Sequence, residues 1–112
     1  MRFPTDRLEL EVSLSDFVGI LKSAKYGAKL GKRNIARETV TFQFDGTNLI
    51  VTVIGVNHII PASGSWHGNV TIALPFIGGL RKAPPSQDPL TISYENLKLR
   101  IGTTVFPAKW AE

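Results

Sequence analysis

The stretch TVTFQFDGTNLIVTVI, residues 39–54, decides how this chain folds. Two runs rich in β-branched and aromatic residues, Thr39–Phe44 and Leu49–Ile54, flank the tetrapeptide Asp45–Asn48. Such side chains are typical of strands, and an Asp-Gly pair readily adopts the positive φ angles that a tight hairpin turn requires. The stretch therefore predicts two antiparallel strands joined by a turn at this tetrapeptide.

The residues before this hairpin predict a strand followed by a helix. Leu8–Val12 alternates apolar and acidic residues, which is the pattern of a strand with one buried face. Ser13 and Asp16 have the spacing of a helix capping box, and apolar residues then recur every three or four positions. The apolar face consists of Phe17, Ile20, Leu21, Ala24 and Ala28.

Six basic residues follow one another in this region with no acidic residue among them. They are Lys22, Lys25, Lys29, Lys32, Arg33 and Arg37. The first three recur at helical spacing, on a face beside the apolar one. Gly27 and Gly31 each disfavour a helix by about 1 kcal/mol, so we expect the helix to end near Tyr26 and a basic loop to follow. A cluster of this charge favours a polyanion or an acidic surface, but it is also compatible with a solvated helix face that has no partner.

The residues after the hairpin predict a third strand and then a loop. Val56–Ile60 continues the strand pattern, and Pro61, which has no amide donor, is expected to end it. Residues 62–68 are rich in Ser and Gly and predict a connecting loop. Trp66 and Trp110 are expected to be exposed or peripheral by their sequence positions, and either could stack on a base, anchor a partner or close the edge of the core; the role of Trp66 stays open.

The second half of the chain repeats this order of elements. Val70–Leu74 predicts a strand, and Pro75 suits the first turn of a helix because the amide hydrogen that it lacks is not needed there. The helix is expected to run to Lys82 and to end before Pro84. The strands that follow are Leu90–Tyr94 and Leu97–Ile101, which form a second hairpin around Glu95-Asn96, and then Thr103–Phe106.

A strand, a helix and three strands thus occur twice, which predicts an α+β fold with antiparallel sheets and two helices on one side. The 112 residues have the length of one domain, residues 1–112, with a first half at about 7–61 and a second at about 69–110. The chain contains no cysteine, which excludes disulfides and thiolate metal sites. It has no signal-peptide pattern and no apolar run long enough to span a membrane, so we expect a cytoplasmic protein.

The second half carries a resemblance to a known family. Its features are a strand ending in Leu74-Pro75, the short helix Phe76–Lys82, the turn Glu95-Asn96 and the pair Phe106-Pro107. In this pattern the chain resembles a domain of the DNA sliding clamps, especially the bacterial DNA polymerase III beta subunit. The first half agrees through Leu8–Val12, its helix and its hairpin.

The resemblance implies a DNA clamp-like domain and a specific arrangement around DNA. In sliding clamps, domains join edge to edge, the sheets form an outer layer, and the helices line a hole that holds duplex DNA. Six domains make a ring, so a single-domain chain would need six copies, or partner chains, to encircle DNA. The chain would then act as a processivity factor, and replication or repair proteins would be its clients. No membrane would be involved.

On that reading, the basic residues of the two helical regions contact DNA phosphates without reading the base sequence. The candidate DNA-binding residues are Lys22, Lys25, Lys29, Lys32, Arg33, Arg81 and Lys82. The alternative is a protein-binding adaptor or regulator with the same fold and no ring, because unpaired strand edges can also capture a partner.

Catalysis is disfavoured by the sequence. The two histidines, His58 and His67, have no metal-binding spacing, and neither a nucleophile elbow nor a phosphate loop is present. Glu9 and Glu11 would share one strand face, but that face is expected to be in solvent. We therefore expect no enzymatic activity, no metal and no cofactor, and we expect Trp110 to close the edge of the core.

Overall fold

The computed structural model describes residues 7–30 and 38–112, with residues 24–30 described by their backbone alone. These residues form an α+β fold of nine strands and two helices, and every strand pair is antiparallel. The elements are β1 Leu8–Val12, α1 Leu14–Leu30, β2 Thr39–Phe44, β3 Asn48–Val53, β4 Val56–Ser65, β5 Asn69–Ala73, α2 Leu74–Lys82, β6 Leu90–Glu95, β7 Lys98–Ile101, β8 Thr104–Pro107 and β9 Lys109–Ala111.

Both predicted hairpins are confirmed. In the first, Phe44 of β2 lies opposite Leu49 of β3, and the Asp45 carboxylate accepts hydrogen bonds from the amides of Thr47 (2.8 Å) and Asn48 (2.6 Å). Gly46 has a φ of 100°, as the Asp-Gly pair predicts. In the second hairpin β6 pairs with β7, and the turn between them has two residues of positive φ.

The first strand of each half joins the two halves, because it pairs with its own half on one side and with the other half on the other side. Strand β1 pairs on one side with β6 of the second half, and β5 pairs with β2 of the first half. The result is a single sheet in the order β8-β7-β6-β1-β4-β3-β2-β5-β9. The two ends of this order, β8 and β9, are separated in sequence by Ala108 alone, so the sheet must curve until its ends meet.

Strand β4 continues through Pro61 to Ser65, where the sequence predicted a loop from residue 62. The amide of Ala62 donates to the carbonyl of Thr47 (3.0 Å), so Ala62 faces β3. The backbone nitrogens of successive strand residues point to opposite sides of the strand. The nitrogen of Pro61 therefore points away from β3, beyond the end of β1. No ladder hydrogen bond is lost there, which is why the proline does not end the strand.

The same arrangement recurs in the second half, at Pro107 and Ala108. Ala108 donates its amide to the carbonyl of Leu97 (2.9 Å), so Pro107 faces away from β7. Strand β9, which the sequence analysis did not predict, then pairs with β5, as residues 62–65 of β4 pair with β1. The segments 59–63 and 105–109 are therefore structural equivalents, and so are the two halves around them.

The core lies between the sheet and the helices. Phe17, Ile20 and Leu21 of α1 are buried, and so are Ile77 and Leu80 of α2, as the apolar spacing predicts. The two helices contact each other, α1 also contacts β3 and β4, and α2 contacts β5. Helix α1 continues to Leu30 rather than ending near Tyr26, so Gly27 lies inside it. Ala24 and Ala28 fall where only the backbone is described.

The two tryptophans differ in burial. Trp66 is 6% exposed and belongs to the core, so the expectation of an exposed or peripheral position was wrong. Trp110 is half-buried at the edge of the core, as predicted, and its indole Nε1 donates to the carbonyl of His67 (2.9 Å). Trp66 is buried because the strands on either side of it, β4 and β5, pair with distant parts of the chain. The local sequence does not reveal this pairing.

Candidate nucleic-acid interface

The predicted DNA-binding residues lie on and beside the two contacting helices. Lys22 is exposed in the middle of α1 and Lys82 is exposed in the last turn of α2, where Arg81 is half-buried. Lys25 and Lys29 belong to α1 by their backbone, but their side chains lie outside the described residues. Lys32 and Arg33 also lie outside them. The structure thus brings together two helices that each carry at least one exposed cation.

The charge on α2 has a structural explanation as well as a functional one. Arg81 and Lys82 lie in its last turn, where positive charge is favoured by the partial negative charge of a helix C-terminus. No described Asp or Glu forms an ion pair with Lys22, Arg81 or Lys82. As far as the described acidic residues are concerned, these cations are therefore available to an anionic partner.

Three of the eight acidic residues in residues 7–30 and 38–112, Glu9, Glu11 and Glu95, lie on the outer face of the sheet, which is the face opposite the helices. Glu9 and Glu11 are exposed there, because the alternation of β1 turns its leucines and its valine inward. Arg7 forms ion pairs with Glu9 (3.5 Å) and Glu95 (3.6 Å) on the same face. These pairs join two adjacent strands and are exposed, so they contribute little to stability.

Three cations outside the helices were not singled out in the sequence analysis. Lys98 and Arg100 are exposed on the outer face of β7, and Lys109 is exposed on β9. The alternation of residues 98–101 predicts these outward positions, so the signal was present in the sequence. Positive charge is therefore not confined to the helix side of the molecule.

Within the described residues the strand order ends at β8 and β9, and two open edges lie at equivalent places in the two halves. On β4 the side that faces away from β3 is open from Asn57 to Pro61, and on β8 the side that faces away from β7 is open around Val105. The large apolar residues that remain exposed in the described chain lie on these strands or in the turn before β7. They are Val56, Ile59, Leu97 and Val105.

A groove lies beside each open edge, at equivalent places in the two halves. The groove beside β8 has a volume of about 480 Å³, and its lining is mostly apolar, with Phe76, Leu97, Pro107 and Ala108 among its residues. The equivalent groove beside β4 has polar and acidic residues in its lining, next to Val12, Pro61, Ala62 and Pro89. The polar and acidic residues include Glu11, Ser13, Asp16 and Asp88. Equivalent positions in the two halves therefore differ in their chemistry.

The histidines do not form a metal site with the other described residues. His58 is half-buried on β4, and burial lowers its pKa below the usual value of 6.5. His67 lies edge-on against Trp110, with ring centroids 5.5 Å apart. Within residues 7–30 and 38–112, no group of three or more His, Asp or Glu is arranged to hold a metal ion.

None of the helices in the described part of the chain is long and apolar enough to cross a bilayer. Comparison of the chain with protein-family models, with curated proteins and with solved structures found no match in any of the three.

Proposed function

We propose that this chain is a sliding-clamp-like DNA-associated protein, which self-associates through its strand edges and presents its basic helices to duplex DNA. The observation that carries the proposal is the pair of contacting helices with exposed Lys22 and Lys82, on the side opposite the sheet face that carries Glu9 and Glu11. The repeated element order, in which the first strand of each half pairs with the other half, supports a clamp-like domain. In this proposal Lys25, Lys29, Lys32, Arg33 and Arg81 extend the same basic surface.

Contacts of this kind bind phosphates, so the affinity must depend steeply on salt. Each phosphate contact that is lost lowers the slope of log affinity against log salt by about 0.9. The double variant Lys22→Glu/Lys82→Glu should therefore bind a short duplex at least tenfold more weakly at low salt, with a slope smaller by about 2. Fluorescence anisotropy at several salt concentrations measures both quantities.

The matched control is Lys109→Glu, which makes the same charge reversal at an exposed position on β9 rather than on a helix. It should leave the salt slope nearly unchanged. A loss of log affinity per reversed charge that is as large in the control as in the double variant would mean that only net charge matters. Unchanged DNA affinity in the double variant would rule out the helix surface.

Self-association through the edges is supported by the charges beside them. The flank of β4 carries Glu11, Asp16 and Asp88, whereas Lys98 of β7 and Lys109 of β9 lie next to β8. The β4 edge of one copy and the β8 edge of the next therefore have complementary charge, which favours a head-to-tail contact over a contact between like edges. The outward prolines at the ends of both open edges limit the number of backbone hydrogen bonds.

The absolute mass in solution tests this assembly. Light scattering during size-exclusion chromatography should give a six-subunit mass at low and at physiological salt if the chain forms a complete ring of single domains. Ile59→Lys, which places a charge on the open edge of β4, should reduce that mass, whereas Lys22→Glu should not. A monomer or dimer at all salt concentrations would exclude the homo-oligomeric ring.

The apolar groove beside β8 favours a second candidate function, a non-enzymatic adaptor or regulator that keeps the fold without the ring. An extended peptide could add to the β8 edge and place an apolar side chain against Phe76 and Pro107. A monomer that ignores DNA, and loses a protein partner when Phe76 is replaced by Asp, would support this function. In either case replication and repair proteins are the proposed clients.

A further inference from the structure

The outer face of β6 and β7 carries a cavity that neither proposed function uses. Its volume is about 350 Å³, and Ser93, Asn96, Lys98, Arg100 and Val105 line it together with Arg7 and its partner Glu95. Three cations and one carboxylate give this lining a net charge of +2. The cavity therefore attracts a small anion, on the face opposite the helices.

Ser93 is unusual among the residues of this face. Ser93 is only 4% exposed, and no other small polar or charged residue of the described chain is buried to this degree. Its neighbours Thr91 and Glu95, on the same face of β6, are more accessible. Its hydroxyl oxygen lies 3.5 Å from Nη2 of Arg7. A serine hydroxyl that accepts from a guanidinium keeps its own proton available, so it can donate to a ligand oxygen.

The two cations of β7 are placed to meet the same ligand. Arg100 lies directly opposite Ser93 in the strand register, and Lys98 is two residues away on the same face. Directly opposed side chains start about 5 Å apart at Cβ, so the guanidinium of Arg100 can reach an anion above Ser93. No described acid forms an ion pair with Arg100 or Lys98, whereas Arg7 is held by Glu9 and Glu95.

We infer that this cavity binds the phosphoryl group of a small phosphorylated molecule, held by Arg100, Lys98 and the hydroxyl of Ser93. A guanidinium binds two oxygens of a phosphoryl group at once, and an ammonium adds a point charge. Val105 supplies an apolar wall for the organic part of the ligand. The volume lies at the small end of ligand cavities, which favours a small molecule over a polymer.

This inference does not depend on the proposed DNA surface, because its residues lie on a different face. The probes are inorganic phosphate and a sugar monophosphate, each titrated at constant ionic strength against sodium chloride while amide chemical shifts are followed by NMR. Saturable shifts at Ser93 and Arg100 are expected, with the sugar phosphate binding more tightly than inorganic phosphate.

The variant Arg100→Gln should weaken binding of both probes at least tenfold and leave the rest of the spectrum folded, because its side chain is exposed. Lys109→Gln is the matched control, since it removes an exposed cation outside the cavity and should not change the affinity. Ser93→Thr keeps a hydroxyl, and should retain more affinity than Ser93→Ala.

Three results would overturn the inference. Equal shifts with chloride would mean general screening, equal affinities for Arg100→Gln and the wild type would mean that another site binds, and tighter binding of short duplex DNA at the same resonances would identify a polymer as the ligand. The helix variant Lys22→Glu/Lys82→Glu should bind both phosphate probes normally, which separates this site from the DNA surface.

Discussion

Replacing Gly64 by alanine tests the closest backbone approach in the described chain. Gly64 lies in the part of β4 that pairs with β1, opposite Leu10, and it has a φ of 138°. An added Cβ would clash with the carbonyl oxygen of Glu9 and would stand 3.0 Å from Cα of Leu10. Both neighbours are backbone atoms of a central strand, so they cannot move aside without disturbing β1.

The expected cost has two parts. The positive φ costs a residue with a Cβ about 1–2 kcal/mol, and the forced backbone shift adds about 3 kcal/mol, the upper end of the range for overpacking. The total is about 4–5 kcal/mol, a large part of the roughly 5–15 kcal/mol that stabilises a typical domain. Gly46 also has a positive φ, of 100°, but nothing lies within 4 Å of its added Cβ. Gly46→Ala should therefore cost only about 1–2 kcal/mol.

Urea denaturation of both variants, followed by tryptophan fluorescence, measures the difference between them. At a similar m-value, the midpoint of Gly64→Ala should fall well below that of Gly46→Ala, or the variant should be unfolded without denaturant. Equal losses in the two variants, within about 1 kcal/mol, would mean that β4 and β1 are not packed as closely as described.

Three further predictions follow from single side chains. Trp110→Phe removes the hydrogen bond from Nε1 to the carbonyl of His67 and should cost about 1 kcal/mol in the same denaturation assay, and an unchanged midpoint would contradict it. Burial lowers the pKa of His58, so the stability that the neutral side chain contributes is fully present above pH 6.5 and is lost as the pH falls through the lower pKa of the folded state. His58→Gln should therefore reduce the acid-induced loss of stability. Burial raises the pKa of Tyr94, so stability should fall above pH 10 as the phenol ionises, and Tyr94→Phe should resist that fall when thermal unfolding is followed by circular dichroism.

Local signals in the sequence predicted the elements whose structure depends on neighbouring residues. The Asp45-Gly46 turn supplies its own hydrogen bonds and positive φ, and Pro75 marks the first turn of α2, so both were readable. The continuation of β4 past Pro61 and the burial of Trp66 were not. They depend on pairing with β1, which is some fifty residues distant in sequence, and on which side of the strand the proline faces.

The candidate site was predictable in part for the same reason. The exposure of Lys22 and Lys82 followed from helical spacing next to an apolar face. The cavity around Ser93 could not be predicted from such spacing. It forms only when β1, β6 and β7 lie side by side and bring Arg7 and Arg100 to the same serine. Alternation along each strand placed these residues outward, but it carried no information on which strands are adjacent.

Because β1 and β5 join the two halves, the chain is comparable to a dimer with a shared sheet whose subunits have been fused through the connection at residues 66–68. Each half would lose strand pairing when the other is removed, because the pairs of β1 with β6 and of β2 with β5 join the two halves. The protein should consequently unfold in one all-or-none step despite its internal duplication, and two fragments cut at that connection should recombine only as a pair.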